Sequence, residues 1–185
     1  LWEYSITHSA REVMQRALDE IEVFTGSTIG FYHFVDEEQG ALTLQAWSTR
    51  TREEFCRAEG EGMRYPVDRA GVWADCVHQR RPVIHNDYAS LPHRKGMPAG
   101  HAEVVRELVV PSMRSERIVS VLGVGNKPAE YDEKDVEIVS YMADVVWTIV
   151  EKLRTDEQVR RMNRQLEHLS MTDELTGLAN RRAFF

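Results

Sequence analysis

The sequence predicts a mixed α+β domain, an antiparallel sheet flanked by helices, with one long helix leaving it on the C-terminal side. Three observations predict this. Short segments dense in β-branched and aromatic residues alternate with segments of helical periodicity. Strand-like segments are joined in pairs by polar turns, at Asp36–Gly40 and at Ser115–Glu116, as antiparallel neighbours are. From Tyr131 the chain carries neither Gly nor Pro until Gly177, and apolar residues recur throughout at helical spacing.

The elements follow in order. Trp2 to Phe24 reads as one amphipathic helix, with Ile6, Ala10, Val13, Ala17 and Ile21 inward and Arg11, Glu12, Arg16, Glu20 and Glu22 outward. Thr25-Gly26-Ser27 ends it. Thr28–Val35 is apolar on both faces, as a central strand is, and Leu42–Trp47 is its returning partner. A short helix is expected at Arg52–Glu59, then an extended segment at Tyr65–Val67. Gly71–Gln79 reads as a helix with Val72, Trp73, Cys76 and Val77 inward, ended by Arg81-Pro82. Val83–His85 is a brief strand. Asn86–His101 holds Pro92, Gly96, Pro98 and Gly100 and is the least regular stretch, and a loop that long in a small domain calls for a functional reason. Val104–Met113 and Ile118–Asn126 close the sheet.

The chain has 185 residues and a formal net charge of −7 with the two signs mixed, so no basic stripe offers itself to nucleic acid. Two cysteines, Cys56 and Cys76, are too few for a disulfide framework, and a reducing, cytoplasmic setting is expected. No apolar run approaches the ~18–20 residues of a membrane span, so no membrane contact is expected from this chain. The first residue is Leu1 rather than Met, and the natural N-terminus is expected upstream.

This order of elements resembles a GAF domain over about residues 5–150. The closest local echo is Asn126-Lys127 followed by Tyr131 and Asp135, which fits the N-K…F-x-x-x-D-E signature of many GAF domains, with Tyr131 for the Phe and Val136 for the final Glu. The signature is associated with cyclic-nucleotide-binding members, where it braces the fold, and a Lys127–Asp135 ion pair is the expected brace. A second resemblance covers the last fifteen residues. Asp173, Leu175, Thr176, Gly177, Leu178, Asn180, Arg181 and Arg182 fit D-x-L-T-G-L-x-N-R-R, the opening of the GGDEF domain of diguanylate cyclases. The organisation expected is therefore a GAF-like sensor at 1–150, a coiled-coil signalling helix at 151–171 and the start of a truncated GGDEF domain at 172–185. The resemblance implies a parent enzyme that joins two GTP into cyclic di-GMP. GTP and Mg are expected only in the missing cyclase domain, and this chain is expected to have no cyclase activity.

A GAF ligand sits between one sheet face and the irregular segments above it, and its identity here is left open. The residues expected there are Trp47, Tyr65, Trp73, His85, Asp87, Tyr88, His93, Arg94, His101 and Arg106, an aromatic wall with a few polar groups suited to an anionic small molecule. Trp47 and Trp73 are pocket wall or plain core, and apolar faces favour core. His93-Arg94-Lys95 is a solvated tip or part of the site, and the loop's length favours the site. His85, His93 and His101 lack His-x3-His or Cys-x2-Cys spacing, so no metal is expected. Neither cysteine is followed by His, against a covalent bilin. A ligand-free dimerisation scaffold and a GAF-fold thiol redox enzyme using Cys56 are the competing readings.

In the long helix, Met142, Val146, Ile149 and Leu153 are spaced as coiled-coil core positions, and so are Val159, Met162, Leu166 and Leu169. The two seams are out of register across the polar Arg154–Gln158. A parallel homodimer through both seams is expected, hinged at that interval.

Overall fold

The computed structural model describes residues 1–55, 62–94, 100 and 103–171. Helix α1 (Trp2–Ser5) and α2 (Ala10–Thr25) precede strands β1 (Ile29–Val35), β2 (Ala41–Trp47) and β3 (Arg64–Pro66). Helix α3 (Asp75–Gln79), β4 (Val83–His85), β5 (Glu107–Arg114), β6 (Arg117–Gly125) and α4 (Glu133–Met171) follow. All strand pairs are antiparallel and the order is β3-β2-β1-β6-β5-β4.

Two local devices set the chain reversals. In the β1–β2 turn, one Asp36 carboxylate oxygen accepts the N–H groups of Gly40 at 2.8 Å and Ala41 at 3.1 Å. Ser115 and Glu116 both stand in the left-handed region (φ 46° and 67°), which matches the twist of the β5–β6 hairpin they join. The Gln39 amide ties the hairpins together, donating to the Ile118 carbonyl and accepting its N–H, each at 2.9 Å.

Alternation along the strands sends two apolar sets to opposite faces. Tyr32, Leu108, Val110, Leu122 and Val124 meet α2 (Met14, Ala17, Leu18, Ile21) and α4 (Val139, Ala143, Val146, Val150). Phe31, Leu42, Leu44, Val109 and Val121 meet Ala74, Cys76 and Val77 from the short helical turns on the other face.

Several expectations are corrected. The N-terminal helix is two helices. Ser9 accepts the N–H of Glu12 while the Glu12 carboxylate accepts the N–H of Ser9, a capping box that starts α2 afresh. Ile6, placed inward by periodicity, falls in the break and is 75% exposed. Glu22, placed outward, is buried and accepts hydrogen bonds from the Ser48 and Thr51 hydroxyls. Burial raises its pKa above the ordinary carboxylate range, with those hydroxyls opposing. Of the expected Arg52–Glu59 helix, the described part is a wide turn at Thr51–Phe55, and residues 56–59 lie outside the described ones. The Gly71–Gln79 helix is a tight turn at Val72–Ala74 running into α3.

Helix α4 has 39 residues and two environments. Up to Val150 its inner face is core. Beyond Leu153, Val159, Met162 and Leu166 are 45%, 47% and 63% exposed. The first expected dimer seam is thereby corrected at three of its positions, with Leu153 half-buried at the edge. Val146 and Ile149 are buried within the domain, and Met142 packs against the same core, so their spacing serves the sheet rather than a partner helix.

Candidate functional site

The sheet face away from α2 and α4 carries two dissimilar groups of side chains. At the β1–β2 end, Phe31 packs edge-on against Trp47 (6.3 Å between ring centres) and Trp73 (5.9 Å). His33 stacks on Trp73 at 4.4 Å and meets Tyr65 at 6.4 Å. The predicted Trp47, Tyr65 and Trp73 are thus one cluster. His33, which sequence reading passed over, lies among them, fully enclosed, and burial depresses its pKa to about 3. Its Nδ1 has no hydrogen-bond partner among the described residues. The tip of the Phe31 ring stands over Gly123, where an added Cβ would lie 2.1 Å from it. The β1–β2 end of the face is therefore packed with the chain's own side chains, while residues 95–99 and 101–102 of the loop expected to cover a pocket lie outside the described residues.

At the β4–β5 edge the chemistry is ionic. Antiparallel pairing sets His85 opposite Glu107, and His85 Nδ1 lies 2.9 Å from the Glu107 carboxylate. The first turn of α3 brings Asp75 to 3.3 Å from His85 Nε2 and 2.8 Å from His93 Nε2. With both ring nitrogens facing carboxylates, His85 donates from both only as the imidazolium. Burial opposes that charge, but Glu107 and then Asp75 outweigh it and raise the His85 pKa above its ordinary value. Tyr88, 5% exposed beside this group, has its phenol pushed up to about 12 by burial and by the Glu107 charge. The chain Glu107–His85–Asp75–His93 runs from a buried carboxylate to an exposed imidazole. It can hold a proton and offer an imidazole edge to a polar ligand at the surface. Among the described residues, no group of three or more His, Cys, Asp or Glu could hold a metal ion.

Asp75 and Glu107 were missing from the expected site. The carboxyls stand 10 and 22 positions from His85 along the chain, and only the β4–β5 pairing and the α3 turn bring them to it. Other expected members lie apart. Asp87 is exposed and caps the turn Tyr88–Ser90, accepting the Ser90 N–H at 3.3 Å. Arg94 is exposed at the loop surface. Arg106 donates to the carbonyls of Lys127 (3.1 Å) and Pro128 (2.7 Å) and so braces the segment after β6 rather than the site. His101 and Cys56 lie outside the described residues. Cys76 is buried, and burial raises its thiol pKa, which leaves no reactive thiolate there.

Where β6 passes into α4, Lys127 Nζ lies 2.6 Å from an Asp135 oxygen, with the two side chains 20% and 6% exposed. The same oxygen accepts the Asp132 N–H at 3.0 Å, so Asp135 also secures the first turn of α4. Asn86 clasps the segment from the loop side, donating to the Tyr131 carbonyl and accepting its N–H. The irregular loop is thus anchored to the root of the long helix.

Comparison with known proteins places this geometry. The chain matches the GAF domain family over residues 7–151. It is 35% identical over 171 residues to the methyl sulfide methyltransferase-associated sensor of Methanosarcina acetivorans, a match that covers 88% of this chain and 17% of that protein. The fold is similar to the GAF domain of a phosphoenolpyruvate-protein phosphotransferase from Coxiella burnetii (TM-score 0.69, 12% identity, 84% of this chain and 91% of that one). It is also similar to free methionine-R-sulfoxide reductase from Neisseria meningitidis, solved with its substrate (TM-score 0.63, 18% identity, 83% and 86% covered). At such identities these two likenesses concern the fold alone.

Proposed function

The chain belongs to the GAF domain family, and we propose that it is the small-molecule-sensing and dimerisation module of a cytoplasmic diguanylate cyclase. The observation that carries this reading is α4, one helix whose inner face is core up to Val150 and whose continuation is solvent-exposed from Val159 to Glu167. A rigid element embedded in a domain along one part and exposed along the next transmits rearrangement of that domain. The sensing surface is the face holding Trp47, Tyr65 and Trp73 at one end and His85, Tyr88 and His93 at the other. The Methanosarcina relative is itself named a sensor, which supports the sensory role. That no helix among the described residues is long and apolar enough to cross a membrane is compatible with a cytoplasmic module.

The output assignment rests on Asp173–Arg182, the stretch similar to the opening of a GGDEF domain, which lies outside the described residues. In such a parent, residues 1–150 sense, 151–171 connect and 172–185 begin the cyclase. Two cyclase domains each bring one GTP, and each 3′-hydroxyl attacks the other's α-phosphorus to give cyclic di-GMP and two pyrophosphates. GTP and Mg belong to that domain. Pairing of two chains through Val159, Met162 and Leu166, with Leu169 continuing the spacing, would bring the domains together. A protein extended beyond Phe185 and incubated with GTP should yield cyclic di-GMP, and a folded extended protein that makes none sinks the cyclase reading. Cysteine crosslinks at positions 159, 162 and 166 should exceed those at 160, 164 and 167, and an even pattern sinks the seam.

The filled aromatic face favours a second reading, a dimerisation scaffold with no ligand. Native mass spectrometry separates the two: a dimer that carries no co-purified small molecule favours the scaffold.

A further inference from the structure

On the side of the sheet facing α4, an open groove of about 840 Å³ lies where the β1–β2 turn, the β5–β6 hairpin, the start of α2 and α4 converge. Phe34 and Trp147 form its aromatic wall, their rings edge to face at 5.7 Å. Four arginines, Arg11, Arg114, Arg117 and Arg154, stand around it against the acids Asp36 and Glu37. Part of this charge is already matched, since Arg64 binds Asp36 at 2.6 Å and Arg114 binds Asp144 at 3.0 Å. Arg154 instead lays its guanidinium over the Phe34 ring at 4.6 Å. Among the described residues, neither Arg154 nor Arg117 has a carboxylate partner. Trp147 is 8% exposed, and its indole N–H has no acceptor among the described residues. The indole therefore contributes its ring to the wall and serves as a reporter beside the groove.

Aromatic wall and unmatched guanidiniums describe one class of occupant. We propose that this groove is an effector site for a planar aromatic anion, the class to which aryl carboxylates and mononucleotides both belong. The anionic group pairs with Arg117 and Arg154, whose planar forks suit carboxylate and phosphate alike. The ring lies against Phe34, in part replacing the Arg154 guanidinium there. Arg154 opens the polar interval at which α4 leaves the domain. An occupant would therefore hold the sheet and the outgoing helix together at the exit itself, on the opposite side of the sheet from the aromatic and ionic groups described above. The site stands whether or not the output is a cyclase.

Titration of the folded chain with 2-naphthoate and, separately, with guanosine monophosphate tests this, read on the indole N–H resonance of Trp147 assigned with Trp147→Phe. Inorganic phosphate supplies charge alone, and 2-naphthol and guanosine supply a ring alone. At least one aromatic anion should saturate below about a millimolar and bind about tenfold more tightly than the charge-only and ring-only probes. Which of the two saturates tells the aryl carboxylate source from the nucleotide one. Arg117→Gln or Arg154→Gln should weaken that binding about tenfold, and unchanged melting of Arg117→Gln shows that the loss is local. No saturation by either anion overturns the proposal. Binding that survives both substitutions, or that phosphate alone reproduces, overturns it equally.

Discussion

Trp73 and Asp75 stand two residues apart, yet each draws a histidine of the same sheet face into an opposite condition. Trp73 covers His33, whose buried ring has no charged partner among the described residues and stays neutral. Asp75, with Glu107, flanks His85 at a similar depth and favours its charge. The two imidazoles are 4% and 9% exposed, so exposure does not separate them. Burial alone does not decide the state of a histidine; what stands at its ring nitrogens does.

Glu107→Ala should have the largest effect on this contrast. It strips a buried imidazole of its nearer carboxylate and should cost about 3 kcal/mol in urea unfolding. A loss below about 1 kcal/mol would mean that Asp75 suffices. At the aromatic end, Gly123→Ala forces the Phe31 ring off the sheet and should cost about 2 kcal/mol, the range of an overpacked core. A neutral result there would show the cluster to be loosely packed. His33→Leu removes an unsatisfied buried nitrogen and should be neutral or stabilising by up to about 1 kcal/mol, the reverse of His85→Leu.

The pH dependence follows with opposite signs. His33 binds its proton in the unfolded chain below about 6.5 but not in the folded one until about 3, so its contribution to stability falls as pH drops below about 6.5. The His85 pKa is raised by folding, so its contribution is complete below about 6.5 and is lost as pH climbs through the higher folded value. Melting temperatures between pH 5 and 8 should show His33→Leu relieving the acid-side loss and His85→Leu removing the alkaline-side one. Each group bends the curve by at most about 1.4 kcal/mol per pH unit. Profiles that match the parent would erase the distinction. The smallest effect belongs to His93→Ala, which removes a half-exposed partner of Asp75 and should change stability by less than about 1 kcal/mol.

The sheet was largely legible in the sequence because its signals are local. The β-branched run at Val83–His85 is β4 to the residue, and the two polar turns fall where the hairpins reverse. The N-terminal break was written there too, as Ser9-x-x-Glu12, but an apolar stripe that included Ile6 outweighed it. The ionic half of the site was illegible for a different reason. Nothing near Asp75 or Glu107 in the chain marks them as partners of a histidine, and nothing near Glu22 announces Ser48 and Thr51. The first dimer seam misled because a 4-3-4 spacing describes a helix lying on a sheet as well as one lying on another helix.

The strand order carries a consequence for how the molecule assembles. Its two tight hairpins, β1–β2 and β5–β6, each close over a few residues, but the centre of the sheet is the seam between β1 and β6, where Ile29 meets Gly125. Across that seam α2 also meets α4, so beginning and end of the domain share one core. The central pairing must close a loop of nearly the whole domain, and non-local pairings of this kind form slowly because their entropy is spent before contacts repay it. During synthesis, the first hairpin and α2 would leave the ribosome with their central edge uncovered and wait for the second.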